Sequence, residues 1–171
     1  MLSQKMLAKF NEQITAEFYS SLLYLQMGAW FGEQSLTVFQ QYFNKHAREE
    51  HDHATKLINF VLDRGGHVAI GAIEAPQNTY ESALDVTQKT LEHEHYVTKK
   101  IHELMDLAEE EKDHPSRSFL RWYVDEQVEE LALFSELVAI TRMGGDNLLV
   151  LEQRVEKMLA AKRGASRDAS E

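Results

Sequence analysis

Four long stretches of this sequence place apolar residues at alternating steps of three and four, and each stripe is interrupted near its middle. The interruptions are Glu17 in the first stretch, Glu50 with His53 in the second, Glu94 in the third, and Gln127 with Glu130 in the fourth. A three-four period marks one face of an α-helix. A residue on that face is buried when helices pack, and burying even one carboxylate is costly. Four carboxylates in one layer raise one another's pKa strongly, and cations offset that repulsion directly. The pattern therefore predicts an all-α bundle built around a pair of metal ions.

The four helices are delimited by caps and breakers. The first is expected from Ser3, an N-cap, to Phe31, with Gly32 just past its end. The second runs from Ser35 to Arg64 and stops at Gly65-Gly66. The short gap between them predicts an antiparallel hairpin. Residues 65–79 hold Gly65, Gly66, Gly71 and Pro76, so no helix crosses there. A connection of that length predicts a crossover along the bundle, with His67-Val68-Ala69-Ile70 available to pair as a strand. The third helix begins near Thr79 to Ser82 and ends near Lys112. The fourth starts at Pro115, a favoured first helical residue, and ends at Gly144-Gly145. A shorter fifth helix follows Asp146, read as its N-cap, through Leu159. The expected domain spans 1–163, with a disordered tail over 164–171. Helices of roughly 28 to 30 residues are about 43 to 45 Å long, a length that a four-helix bundle supports. A coiled-coil dimer is the plain alternative, and the long crossover and fifth helix argue against it.

Composition narrows the chemistry. The 171 residues suffice for one domain with a sizeable core. There is no cysteine, which removes disulfides, thiolate zinc sites and thiolate-ligated iron–sulfur clusters. The net charge of −10 disfavours a nucleic-acid partner and suits a protein that handles cations. No apolar run is long enough to span a membrane or serve as a signal peptide, so a cytoplasmic location is expected.

Depth along each helix supplies the constellation. Glu17, Glu50, Glu94 and Glu130 fall at similar depths in helices of similar length, so the bundle should bring them into one layer. Glu50 and His53 are spaced i, i+3 and can face one ion from one helix face. Gln127 and Glu130 repeat that spacing with an amide in place of one ligand. Glu-x-x-His on a helix is a device of carboxylate-bridged di-iron bundles. Mixed oxygen and nitrogen donors suit iron or manganese and also accept zinc.

The segments NEQITAEFYSSLLYLQM, HAREEHDH, HEH and FLRWYVDEQVEE resemble those of the non-haem bacterial ferritins, over nearly the whole chain from Met1 to about Leu159. The resemblance implies a ferritin-like four-helix bundle with a fifth C-terminal helix. It assigns Glu17, Glu50 and His53 to one iron position, with Glu50 bridging to a second that Glu94 and Glu130 complete. Gln127 matches the family's amide beside the paired irons. Glu49, Glu126, Glu129 and Glu130 match a third iron position. Tyr24 and Trp122 match aromatic residues beside the centre. The activity implied is ferroxidase: Fe²⁺ is oxidised by O₂ or H₂O₂ and stored as a ferric oxy-hydroxide mineral in a hollow homo-oligomeric shell of 24 subunits. Tyr24 would either donate an electron or hydrogen-bond a ligand carboxylate.

The sequence departs from two relatives. Bacterioferritins resemble it but carry a second Glu-x-x-His on the fourth helix, where this chain has Gln127-x-x-Glu130. Their haem-binding methionine of the second helix has no counterpart beside His51-Asp52-His53, so no haem is expected. Rubrerythrins need a cysteine-rich iron domain, which zero cysteines exclude.

Plainer readings stand beside each of these. A lone inward glutamate is commonly a salt-bridge partner, and Glu49, Glu126 and Glu129 also fit a solvated face. His46, one turn before Glu50, reads as a hydrogen-bonded core histidine. His93 and His95 flank Glu94 and read as surface or supporting residues. For the whole chain, the alternatives are a di-metal oxidase or oxygenase acting on an organic substrate, or a non-catalytic helical assembly whose polar layer sets register.

Overall fold

The computed structural model describes the backbone of residues 1–145 and 147–168, and side chains through residue 160. Its elements are α1 (Gln4–Glu33), α2 (Thr37–Asp63), α3 (Ala83–Glu110), α4 (His114–Gly144) and α5 (Leu148–Asp168). Four helices start on side-chain caps that satisfy otherwise unpaired N–H groups. Ser3 accepts from the Met6 N–H, Ser82 from that of Asp85, Asp113 from that of Ser116, and Asn147 from that of Val150. Asp113 also grips Arg64 at the end of α2, at 3.1 and 3.2 Å. That ion pair ties the end of the first hairpin to the bend of the second, where α4 begins.

α1 packs chiefly on α2, and α3 on α4, so the bundle is two antiparallel hairpins laid together. Contacts from Tyr24–Glu94 at one level to Lys9–Glu103 at another run α1 antiparallel to α3. His46–Phe134 and Arg64–Asp113 do the same for α2 and α4. The resulting up-down-down-up order requires the crossover that the spacing predicts.

The crossover itself corrects one expectation. His67 to Ile70 pair with no strand, and no strand occurs among the described residues. Side chains of α1 serve that backbone instead. Asn11 donates to the His67 carbonyl at 3.0 Å and accepts from the Ala69 N–H at 3.1 Å, and Thr15 Oγ1 accepts from the Gly71 N–H at 2.9 Å. The α1–α2 turn is a second correction. Gly32 lies inside α1, where a Cβ would meet the Gln40 side chain at 2.7 Å. The glycine permits close helix approach, and the chain reverses through Ser35, which takes a left-handed φ of 60°.

α5 lies across α2 and α4. Asp146, expected as the cap of α5, lies outside the described residues, and it is Asn147 that caps the helix; the tail expected over 164–171 lies outside the residues whose side chains are described. α2 has no cap of its own, because Leu36 occupies the N-cap position. Glu152 of α5 supplies it from a distance, accepting from the N–H groups of Val38 at 2.9 Å and Phe39 at 3.1 Å. A carboxylate there also meets the positive end of the helix dipole. Glu152→Ala is expected to cost about 1 kcal/mol and to loosen α5 before the bundle melts. Faster amide exchange confined to α5 and the first turn of α2 would show it; unchanged exchange at both would refute it.

The core is split. One apolar cluster, with Phe31, Phe39, Phe43 and Phe134, fills the end near α5. A second, with Phe10, Leu57, Ile101 and Leu120, fills the opposite end. Between them lies a buried polar layer.

Candidate metal centre

Every helix of the bundle contributes to that layer. Glu17 comes from α1, Glu50 and His53 from α2, Glu94 from α3, and Gln127 and Glu130 from α4. The four carboxylates and Gln127 are buried, and His53 is nearly so. Each sits where the three-four stripe places an apolar residue, so packing of the flanking residues carries it inward.

Ligand-capable atoms converge in two sets. Atoms of Glu17, Glu50 and His53 all lie within 4.8 Å of one another, and so do atoms of Glu50, Glu94 and Glu130. Glu50 belongs to both. Within the first set, His53 Nδ1 is 3.2 Å from Glu50 Oε2 and 3.9 Å from Glu17 Oε2. Two carboxylate oxygens, Glu17 Oε2 and Glu50 Oε1, are buried with no hydrogen-bond partner among the described residues. Orphaned buried oxygens are rare and costly. Paired hard oxygen donors and one imidazole nitrogen, two oxygens of them unsatisfied, fit a di- or trivalent first-row cation.

Electrostatics point the same way. Burial pushes the Glu50 carboxyl well above its usual range, and the charges of Glu130, Glu17 and Glu94 push it further. Burial raises Glu130 as well, with Glu94 as the next cause. Glu94 is raised by burial to about 7, moderated by hydrogen bonds from Tyr24 and Glu130. Burial also raises the Tyr24 hydroxyl, which donates to Glu94 Oε1. Gln127 Nε2 donates to Glu94 Oε2 at 3.1 Å and Glu130 Oε2 at 3.0 Å, while its own carbonyl accepts from Thr98 at 3.2 Å. The Thr98 proton has a nearer acceptor in the Glu94 carbonyl at 2.8 Å, so it is the two carboxylates that orient the amide, and the amide in turn holds both.

Glu49, Glu126 and Glu129 are placed differently. With Glu130 and His46 they line an open cavity of about 890 Å³ between α2, α4 and α5. Among the described residues they do not converge into a three-ligand set as the other groups do. Glu49 is paired with Lys45 and lies 3.4 Å from His46 Nδ1. His46 is buried against Tyr42 and Phe134, as a core histidine should be.

Of the two places expected for it, His93 takes the supporting one, half-buried beside the layer. It is 2.7 Å from Ser20 Oγ and meets the Tyr24 ring edge-on, and burial pulls its imidazole down to about 4. His95 is exposed. Trp122 stacks on Tyr123 at 4.6 Å and carries Lys56 Nζ at 3.2 Å from its ring centroid. Two further residues lie against the layer: Gln13, which falls outside the expected constellation, and Tyr123, which lies on the inward stripe of the fourth helix. Gln13 donates to Glu17 Oε1. Tyr123 is fully buried, its hydroxyl raised by burial and by the charges of Glu17 and Glu50. Gln13 precedes Glu17 by four residues on the same helix face, and that interval was the available signal.

A crossed-over four-helix bundle with inward carboxylates from all four helices is the architecture of the carboxylate-bridged helical-bundle proteins. Residues 7–143 match the ferritin-like domain family. A non-heme ferritin-like protein of Haemophilus influenzae is 44% identical over 138 residues, covering 81% of this chain and 84% of its own. The bacterial non-heme ferritin of Campylobacter jejuni is 39% identical over 165 residues, covering 95% and 99%. An open-pore ferritin from the archaeon Archaeoglobus fulgidus superposes with a TM-score of 0.88 at 39% identity, over 92% of this chain and 97% of that one. The chain belongs to the ferritin family.

Proposed function

We propose that the protein is an iron-storage ferritin whose single subunit oxidises Fe²⁺ at a two-iron centre. The observation that carries this reading is that Glu50 belongs to both converging ligand sets. Glu17, Glu50 and His53 take one ion, and Glu50, Glu94 and Glu130 take the other. Iron here is substrate and cargo. Each Fe²⁺ gives up one electron; O₂ accepts the two electrons with two protons to become H₂O₂, or H₂O₂ accepts them with two protons to become two waters. Hard carboxylate oxygens bind Fe³⁺ more strongly than Fe²⁺, so the ligand set itself favours oxidation.

The surrounding residues orient this set. Tyr24 and Gln127 hold Glu94, and Gln127 also holds Glu130, leaving the remaining oxygens to the ions. Glu49, Glu126 and Glu129, with Glu130, form a looser third position that receives iron on its way out of the centre. The ferric product hydrolyses and is stored as oxy-hydroxide inside a homo-oligomeric 24-subunit shell in the cytoplasm. No helix among the described residues is long and apolar enough to cross a membrane.

Two measurements test the reading. Fe²⁺ added in air should develop ferric absorbance faster with protein than in buffer, and equal rates would refute the ferroxidase. Light scattering should give a mass near that of 24 chains of 19.7 kDa; a particle of one or two chains would refute the shell.

A further inference from the structure

Gln13 is 1% exposed on α1, one turn before Glu17. A buried amide must find partners, and its Nε2 donates to Glu17 Oε1. One oxygen of Glu17 is thereby engaged. The other, Oε2, has no hydrogen-bond partner among the described residues and lies 3.9 Å from His53 Nδ1. The opposite side of the layer has a comparable arrangement, in which Gln127 divides its amide between Glu94 and Glu130. Each half of the centre thus has its own amide.

We propose that Gln13 is a positioning residue that holds Glu17 to one metal-facing oxygen and so sets the affinity of the metal position shared with His53, separately from the Glu94–Glu130 position. The inference rests on the two-iron reading above. A carboxylate can meet a cation with one oxygen or two. An N–H on Oε1 takes one of that oxygen's lone pairs, leaves Oε2 the freer donor for the ion, and fixes the side-chain rotation that aims it. Without that donor Glu17 regains rotational freedom, which must be lost again on each binding event. Its Oε1 is also left buried without a partner. Outer hydrogen-bonding partners of metal ligands typically carry about 10- to 100-fold in affinity.

Gln13→Met keeps the length of the side chain and removes the donor. Calorimetric titration of the whole protein with Zn²⁺, which accepts the same ligands without redox chemistry, should find two tight ions per wild-type chain, apart from weaker binding at the looser third position. In Gln13→Met one of them should bind about tenfold or more weakly and the other should be unchanged. Gln127→Met should weaken the other position instead, and the metal-free Gln13→Met should remain folded, melting lower by no more than several degrees. Equal weakening at both positions, or at neither, would overturn the inference while leaving the two-iron reading intact. A wild-type chain that binds fewer than two ions would overturn that reading, and this inference with it. Gln13→Leu supplies the same comparison should the methionine variant not fold.

Discussion

Glu50→Gln should slow Fe²⁺ oxidation by at least about 100-fold, the upper end of what even an outer partner of a metal ligand carries, while making the metal-free protein more stable. Both effects come from one position. Among the described residues Glu50 alone is common to the two converging sets, so its loss impairs both ions at once. In the metal-free chain the same carboxyl is a burden. Its pKa is raised by burial and by three neighbouring glutamates, so folding at neutral pH must protonate it or bury its charge. From its ordinary value of 4.5 to pH 7.5, keeping it protonated costs at most about 4 kcal/mol at 1.36 kcal/mol per pH unit. The neutral amide has nearly the same shape and removes that cost. Thermal melts with and without Zn²⁺ should therefore cross: the variant melts higher without metal, and the wild type gains far more from its addition. Oxidation by Glu50→Gln at the wild-type rate, or a metal-free variant several degrees less stable, would sink this account.

Cation binding should weaken steeply in acid, by roughly tenfold per pH unit for each proton displaced. Glu94 is raised to about 7, and Glu50 and Glu130 are raised with it, so below that pH an incoming ion must expel protons. In the metal-free chain, a carboxyl whose folded pKa is raised adds stability below the unfolded pKa, and that stability is lost as pH rises through about 7. His93 acts in the opposite sense, because its pull down to about 4 makes folding less favourable as pH falls from 6.5. The two trends overlap, so a melting curve alone mixes them. Proton release is the cleaner measurement. Zn²⁺ calorimetry at about pH 7 in buffers of different ionisation enthalpy should show protons leaving as ions bind, and affinity should fall between about pH 7.5 and 5.5. Binding without proton release would contradict the raised carboxyls.

The polar layer was legible because four stripes interrupted at equal depth must meet in one plane when their helices pack, and the residues do meet. The helix start marked by Ser3 was legible because capping is local chemistry, whereas Ser82 and Asp113 cap starts that were placed only to within a few residues. The crossover was legible in length and not in its partners. What holds His67 to Gly71 is a pair of side chains, Asn11 and Thr15, more than fifty residues earlier, and no local pattern encodes such a contact. Gly32 misled because glycine ends helices and also admits close neighbours, and only the position of Gln40 decides between them. His93 was legible as one of two things, surface or supporting, and only its contacts with Ser20 and Tyr24 decide for the second. Gln13 was missed because an amide on a buried stripe announces no chemistry until its partner is seen.

Each end of the divided core is closed mainly by its own aromatic and aliphatic residues, and it meets the layer through a tyrosine, Tyr24 at one end and Tyr123 at the other. The layer is a cassette slotted into a frame that is packed mostly from its own residues. Amide, imidazole and carboxylate can trade places there at little risk to the fold. One scaffold can then be retuned from one metal chemistry to another by changing two or three side chains, with its helices, crossover and outer face untouched.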